Sequence, residues 1–216
     1  MIRIAFDTTA LELGGGGVAT YTRELRDALR ARPDVELIEI AHTSARGRIA
    51  SGLDRELRWY RDGIEAAARD LRADLIHVPA SLPVRSRHVP LVLTIHDAIP
   101  WLHPEWFTHV NALQQRLLMR RAAQRATRII TVSESAKDDL IRVLGVAHVD
   151  AIHEGISPAF SPDLRDPAWL AGRFGVTAPV VLSVGTPEPR KNLTTTLRAY
   201  ARIVRDAPTA SLLLVG

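Results

Sequence analysis

Short apolar runs bounded by turn residues recur along this chain at residues 2–6, 35–40, 75–78, 91–95, 128–132 and 149–152. They read as short buried strands. Helical patterns fill the intervals at 18–30, 53–71, 105–126 and 134–144. Such a βα alternation predicts an α/β fold, a parallel sheet with helices on both faces.

The pattern breaks after Glu154, where Pro158, Pro162, Pro167 and Pro179 punctuate the sequence and oppose a continuous strand or helix. We expect an interdomain linker over 155–178, following a first domain at 1–154. A strand at 180–184, a helix at about 192–205 and a strand at 211–215 then make one βαβ unit over 179–216. A lone βαβ unit cannot bury both faces of its strands, so the second domain is expected to be incomplete or completed by something else. The 216 residues agree, exceeding one average domain and falling short of two full α/β domains.

Composition narrows the chemistry. There is no cysteine, which removes disulfides, thiolate metal sites and thiol nucleophiles together. The net charge of +4 rests almost wholly on arginine, since Lys137 and Lys191 are the only lysines, and it favours anionic partners. Aromatics make up 5% of the chain and no nucleic-acid module is recognisable, which argues against a nucleic-acid partner. The first residues enter a strand pattern directly and no apolar run approaches the roughly 20 residues of a spanning helix. A soluble, cytoplasmic chain is expected.

Two turns stand out as anion sites. In the stretch 180–192, VVLSVGTPEPRKN, a strand runs into a turn carrying Arg190 and Lys191 where a helix begins, and the free N–H groups and dipole there favour phosphate. The second is the glycine run Gly14–Gly17 after the first strand, whose backbone N–H groups can approach an anion. Together they suggest a cleft between two domains. Residues 14–19 also match G-x-G-x-x-A, but TTALEL separates the strand from the glycines, unlike a dinucleotide fingerprint.

His96 and Asp97 follow the strand at 91–95, at the end where open parallel sheets place ligands, and the adjoining AIPWLHPEWF loop brings Trp101 near them. His77 is a weaker candidate of the same kind. His103 and His109 lack carboxylates at metal-ligand spacing and no D-x-D motif is present, so no metal site is expected. Arg116, Arg120, Arg121, Arg125 and Arg128 share one helical segment, either a solvated face or a surface for anionic lipid.

Taken together, GGGGVATYTREL, TIHDAIPWLHPEWF, RIITVSESAKDDLIRVLGV, HEGISPAF and VLSVGTPEPRKNL resemble, in order and over nearly the whole chain, the family 4 glycosyltransferases of GT-B fold, the mannosyltransferase-like members in particular. The resemblance implies two Rossmann-like domains, the first binding acceptor and the second a GDP- or UDP-linked sugar. It implies retaining transfer to an acceptor hydroxyl of a glycan or lipid-linked precursor, without a metal or other cofactor. His96 resembles the active-site histidine beside the transferred sugar, with Asp97 and Trp101 on the acceptor side. Gly16 and Gly17 would approach the donor pyrophosphate, Lys191 matches the lysine that neutralises the diphosphate, and Arg190 adjoins it. Thr186 stands where many members carry a phosphate-binding arginine. The family's glutamate pair would lie beyond Gly216, so this chain is expected to be a fragment with little or no activity by itself.

A non-catalytic acceptor- or partner-binding module of the same fold is the alternative. A nicotinamide-dependent oxidoreductase is disfavoured by the spacing at the glycine run.

Overall fold

The computed structural model describes residues 1–12, 16–42, 55–107, 109–161, 163, 166–176 and 179–216. Gly14 and Gly15 of the glycine run, and residues 53 and 54 of an expected helix, lie outside these. Two units separate, Met1–Gly155 and Ile156–Gly216.

In the first unit six parallel strands form one sheet: β1 (Ile2–Asp7), β2 (Val35–Ile40), β3 (Leu75–Val78), β4 (Leu91–Thr94), β5 (Arg128–Thr131) and β6 (Val149–Ala151), ordered β2-β1-β3-β4-β5-β6. The register sets Ile4 opposite both Leu37 and Leu75, Phe6 opposite His77, and Thr94 opposite Ile130. Central strands are buried residue after residue, as expected when helices cover both faces: Ala5, Phe6 and Asp7 on β1, and Ile76, His77 and Val78 on β3. Helices flank the sheet and turn small or aliphatic side chains into its core at helical spacing. Ile64 and Ala68 come from the helix Ile64–Asp70, Met119, Ala122 and Ala123 from His109–Arg125, and Leu140 and Leu144 from Glu134–Leu144. Ser133 starts the last of these by accepting the Ala136 N–H at 3.1 Å, and Gly145 ends it in the left-handed region at φ 68°.

Two expected helices are divided. Within 53–71, Arg55–Gly63 is π-helical and the α-helix begins at Ile64. Within 105–126, Pro104–Trp106 forms a 3₁₀ turn, Phe107 is extended (φ −120°, ψ 161°), and the helix proper runs His109–Arg125. The link between β3 and β4 has no helix at all, so the alternation is broken once.

The second unit contains the helix Pro167–Phe174, which lies inside the expected linker and is capped by Asp166 through the Trp169 N–H at 2.8 Å. Pro167 sits in its first turn, where a missing N–H costs no helical bond. β7 (Val180–Val184) and β8 (Ser211–Val215) pair in parallel, joined by the helix Leu193–Asp206. Their apolar side chains are poorly covered: Leu182 is 58% and Val184 68% exposed. No helix among the described residues is long and apolar enough to cross a membrane.

Candidate functional site at the carboxyl edge of the sheet

β2 and β3 lie on opposite sides of β1, so the winding of the sheet reverses between β1 and β3. Open parallel sheets receive ligands outside the strand carboxyl ends at such a reversal. Asp7 closes β1 there. Its Oδ1 accepts the Thr9 hydroxyl at 2.6 Å and the Thr9 N–H at 3.4 Å, while the Trp59 indole donates to Thr9 Oγ1 at 3.3 Å. Asp7 Oδ2 is buried with no hydrogen-bond partner among the described residues. Burial pushes this carboxyl up to about 6, against the lowering effect of the Thr9 hydrogen bonds.

Gly16 and Gly17 begin the helix Gly17–Arg30. Gly16 holds φ 107°, a conformation that favours glycine, and no side chain caps the first N–H groups. A Cβ at either glycine would meet nothing within 4 Å among the described residues. An uncapped N-terminus of a 14-residue helix offers N–H groups and positive dipole to an anion. One turn along, Tyr21 meets His96 edge-on, with ring centroids 4.9 Å apart.

His96 follows β4 and is fixed on several sides. Its N–H donates to Ser81 Oγ at 3.3 Å, its carbonyl accepts the Thr131 hydroxyl at 3.4 Å, and its Nε2 lies 3.3 Å from the Pro79 carbonyl. A carbonyl only accepts, so Nε2 carries the proton and the neutral ring keeps a lone pair on Nδ1. That nitrogen lies 3.8 Å from Glu154 Oε1. His96 can therefore accept a hydroxyl through Nδ1, and can pair with Glu154 when protonated.

The other sequence candidates divide. Asp97 is exposed, and its Oδ1 accepts the Ile99 N–H at 3.0 Å to start a short helical turn. Trp101 packs against the hydrophobic core. His77 is buried, with burial pushing its pKa down to about 4; its ring meets Phe6 edge-on and its Nε2 lies 3.5 Å from Thr94 Oγ1. His103 stacks on Trp106 at 4.1 Å and contacts Glu105 at 3.1 Å. No group of potential metal ligands occurs among the described residues.

In the second unit Gly185 ends β7 at φ 142°, and the aliphatic stem of Lys191 lies over it, with Cε 3.5 Å from where a Cβ would stand. Arg190 and Lys191 sit in a 3₁₀ turn, Pro189–Lys191, just before the helix Leu193–Asp206, whose start has no side-chain cap. Arg190 Nε pairs with Glu188 at 2.5 Å, and the Thr186 hydroxyl donates to the same carboxylate at 2.9 Å. Lys191 has no ion pair among the described residues and is exposed. Its ammonium is the freer cation of this turn.

Sequence reasoning did not single out Asp7, Tyr21, Trp59 or Glu154 as site residues. A carboxylate closing an apolar run was a signal for Asp7. Nothing local marked Tyr21, whose contact with His96 depends on the tertiary fold.

The family described as Glycosyltransferase Family 4 matches residues 15–160. The serotype-specific mannosyltransferase WbdA of Escherichia coli is 25% identical over 182 residues, covering 76% of this chain and 22% of that protein. Among solved structures, sucrose-phosphate synthase from Thermosynechococcus elongatus superimposes with a TM-score of 0.72 at 17% identity, covering all of this chain and 62% of that one. HepE from Anabaena, in complex with UDP and glucose, gives a TM-score of 0.63 at 20% identity over 100% of this chain and 61% of that one. The structural likeness establishes the fold, and this chain spans only part of each relative.

Proposed function

We propose, from the premise that the chain belongs to glycosyltransferase family 4, that it supplies the acceptor-side domain and the first donor-side βαβ unit of a retaining glycosyltransferase. The reaction moves a sugar from a nucleoside diphosphate to an acceptor hydroxyl of a glycan or lipid-linked precursor. The observation that carries this reading is the meeting of His96 with Tyr21, because Tyr21 stands four residues, roughly 6 Å along the axis, from the start of its helix and so ties the imidazole to the element that begins at the glycines.

Departure of the diphosphate builds negative charge on its oxygens. Each unit holds groups suited to such charge: the N–H dipoles at Gly17 and the next residues in the first, and the Lys191 ammonium in the second. The reaction is proposed to run on these charges without a metal. His96 Nδ1 would accept a sugar hydroxyl, with Nε2–H held by Pro79. Likeness to WbdA supports mannose as the transferred sugar. UDP in the HepE structures and the mannosyltransferase likeness leave UDP and GDP as the two nucleotides to test.

The poorly covered Leu182 and Val184 support the reading that the donor unit needs further protein surface. We place the enzyme in the cytoplasm, at the inner face of the membrane. The exposed Arg116, Arg120, Arg121 and Arg125, with Leu117 beside them, support that contact.

Nucleotide release from GDP-mannose and UDP-glucose by the full-length protein tests the reading. Turnover with one donor is expected, falling by roughly a hundredfold in His96→Ala, with the anomeric configuration of the product retained by NMR. With Leu182 and Val184 so poorly covered, these 216 residues alone are proposed to be inactive, and turnover by them would refute that proposal. A full-length protein that binds acceptor but releases no nucleotide would instead establish the binding-module alternative.

A further inference from the structure

A cavity of about 250 Å³ opens in the first unit at the edge of the sheet opposite His96. Arg69 lies shortly before β3 and Arg87 shortly before β4, and in a parallel sheet both strand starts share one edge. The four residues of β4 put roughly 13 Å between this edge and the carboxyl edge. Four arginines, Arg61, Arg69, Arg85 and Arg87, are among the residues that line the cavity, with His88.

The two carboxylates among them are already engaged. Asp62 pairs with Arg61 at 3.2 Å. Glu65 Oε1 accepts the backbone N–H groups of Arg87 at 3.0 Å and His88 at 2.6 Å. Burial opposes ionisation of Glu65, yet these backbone donors leave its carboxyl below the usual range. Arg69, Arg85 and Arg87 have no ion-pair partner among the described residues.

The walls are tied together by backbone. Besides the Glu65 clamp, the Arg85 N–H donates to the Tyr60 carbonyl at 3.0 Å, and the Ser86 hydroxyl closes the bend on the Val89 carbonyl at 2.5 Å. The fold thus gathers like charges in a concave place and leaves three of them uncompensated. An anion relieves that repulsion, and guanidinium forks match phosphate oxygens in pairs. The volume is below the roughly 300–1,000 Å³ of sites for drug-sized ligands, which suits a phosphorylated head group better than a whole nucleotide sugar.

We propose that this cavity is a second site, binding a phosphoryl group carried by a soluble phosphate ester or by a lipid head group. Calorimetric titration with inorganic pyrophosphate, in a Lys191→Ala background that removes the freer cation of the turn after β7, tests it. Binding is expected, weakened at least about tenfold in Arg85→Ala/Arg87→Ala and unchanged in Arg198→Ala/Arg202→Ala, which removes two exposed arginines elsewhere. Arg85→Lys/Arg87→Lys keeps the charge but not the fork and should bind with intermediate affinity, with circular dichroism confirming that each variant is folded. Flotation with phosphatidylcholine vesicles carrying phosphatidic acid, in an Arg116→Ala/Arg120→Ala/Arg121→Ala/Arg125→Ala background that removes the other basic face, separates the sources. Flotation lost in the Arg85→Ala/Arg87→Ala protein assigns a lipid head group, whereas pyrophosphate binding without flotation assigns a soluble ester. Absence of binding to either probe, or equal binding by folded wild-type and Arg85→Ala/Arg87→Ala proteins, overturns the proposal.

Discussion

The ring of Tyr21 stands at 85° to the imidazole of His96, with centroids 4.9 Å apart, and so joins the helix after the glycine run to the end of β4. The Tyr21 hydroxyl reaches Thr94 Oγ1 only at 3.5 Å, the outer limit of a hydrogen bond. The ring, more than the hydroxyl, carries the connection.

Tyr21→Phe is therefore expected to change stability by less than about 1 kcal/mol and to keep activity. Tyr21→Ala removes the ring pair, worth about 1 kcal/mol beyond its buried area, and frees His96, so turnover of the full-length enzyme should fall roughly ten- to a hundredfold. Urea unfolding and initial rates on the two variants separate the effects.

Asp7 and His77 make opposite contributions to the pH dependence of stability. The Asp7 carboxyl is raised to about 6 from 3.8 by burial, so the folded chain holds its proton more tightly than the unfolded one. Its stabilisation is present below pH 3.8 and is lost as pH rises through 6, about 3 kcal/mol in all. His77 is lowered to about 4 from 6.5 by burial, so its contribution is present above pH 6.5 and is lost as pH falls through 4, by a similar amount. Relative to wild type, Asp7→Asn should gain stability as pH rises from 4 to 6, and His77→Gln should lose it. Urea denaturation across that range checks both signs.

The two site glycines should behave differently. Gly16 needs its φ of 107°, so Gly16→Ala is expected to cost about 1–3 kcal/mol although nothing crowds the new Cβ. Gly17 opens the helix without a positive φ, a Cβ there would meet nothing within 4 Å among the described residues, and Gly17→Ala should be neutral or stabilising by up to about 1 kcal/mol. Any loss of nucleotide affinity in Gly17→Ala would then report crowding of the ligand itself. Thermal unfolding paired with nucleotide titration reads both.

Most of the fold was legible because buried parallel strands are written as short apolar runs, and β1 to β6 all lie where those runs do. What failed did so where local pattern meets tertiary geometry. Residues 105–107 fall within the helix expected over 105–126, but Pro104–Trp106 forms a 3₁₀ turn and Phe107 is extended, so the helix starts later. Trp101, expected on the acceptor side beside His96, is partly buried and packs against the core with part of its surface still accessible. His96 was legible from its place after a strand. Its partners Ser81, Tyr21, Thr131 and Glu154 come from distant parts of the sequence, and a pattern of local periods does not encode them.

At the turn after β7, Thr186 occupies the place where the resemblance led one to look for an arginine, and it binds Glu188, which in turn pairs with Arg190. Glu188→Gln should release Arg190 and raise nucleotide affinity several-fold. An exposed salt bridge contributes about 0–1 kcal/mol, so stability should hardly move. Calorimetry and thermal unfolding of this variant test the pairing.

Calorimetric titration of GDP and UDP into the chain extended through a complete second domain tests the transferase reading most directly. One of the two nucleotides is expected to bind, with affinity falling at least about tenfold in a folded Lys191→Ala variant. If the folded, extended wild-type protein binds neither nucleotide, the assignment of a nucleotide-sugar donor is wrong.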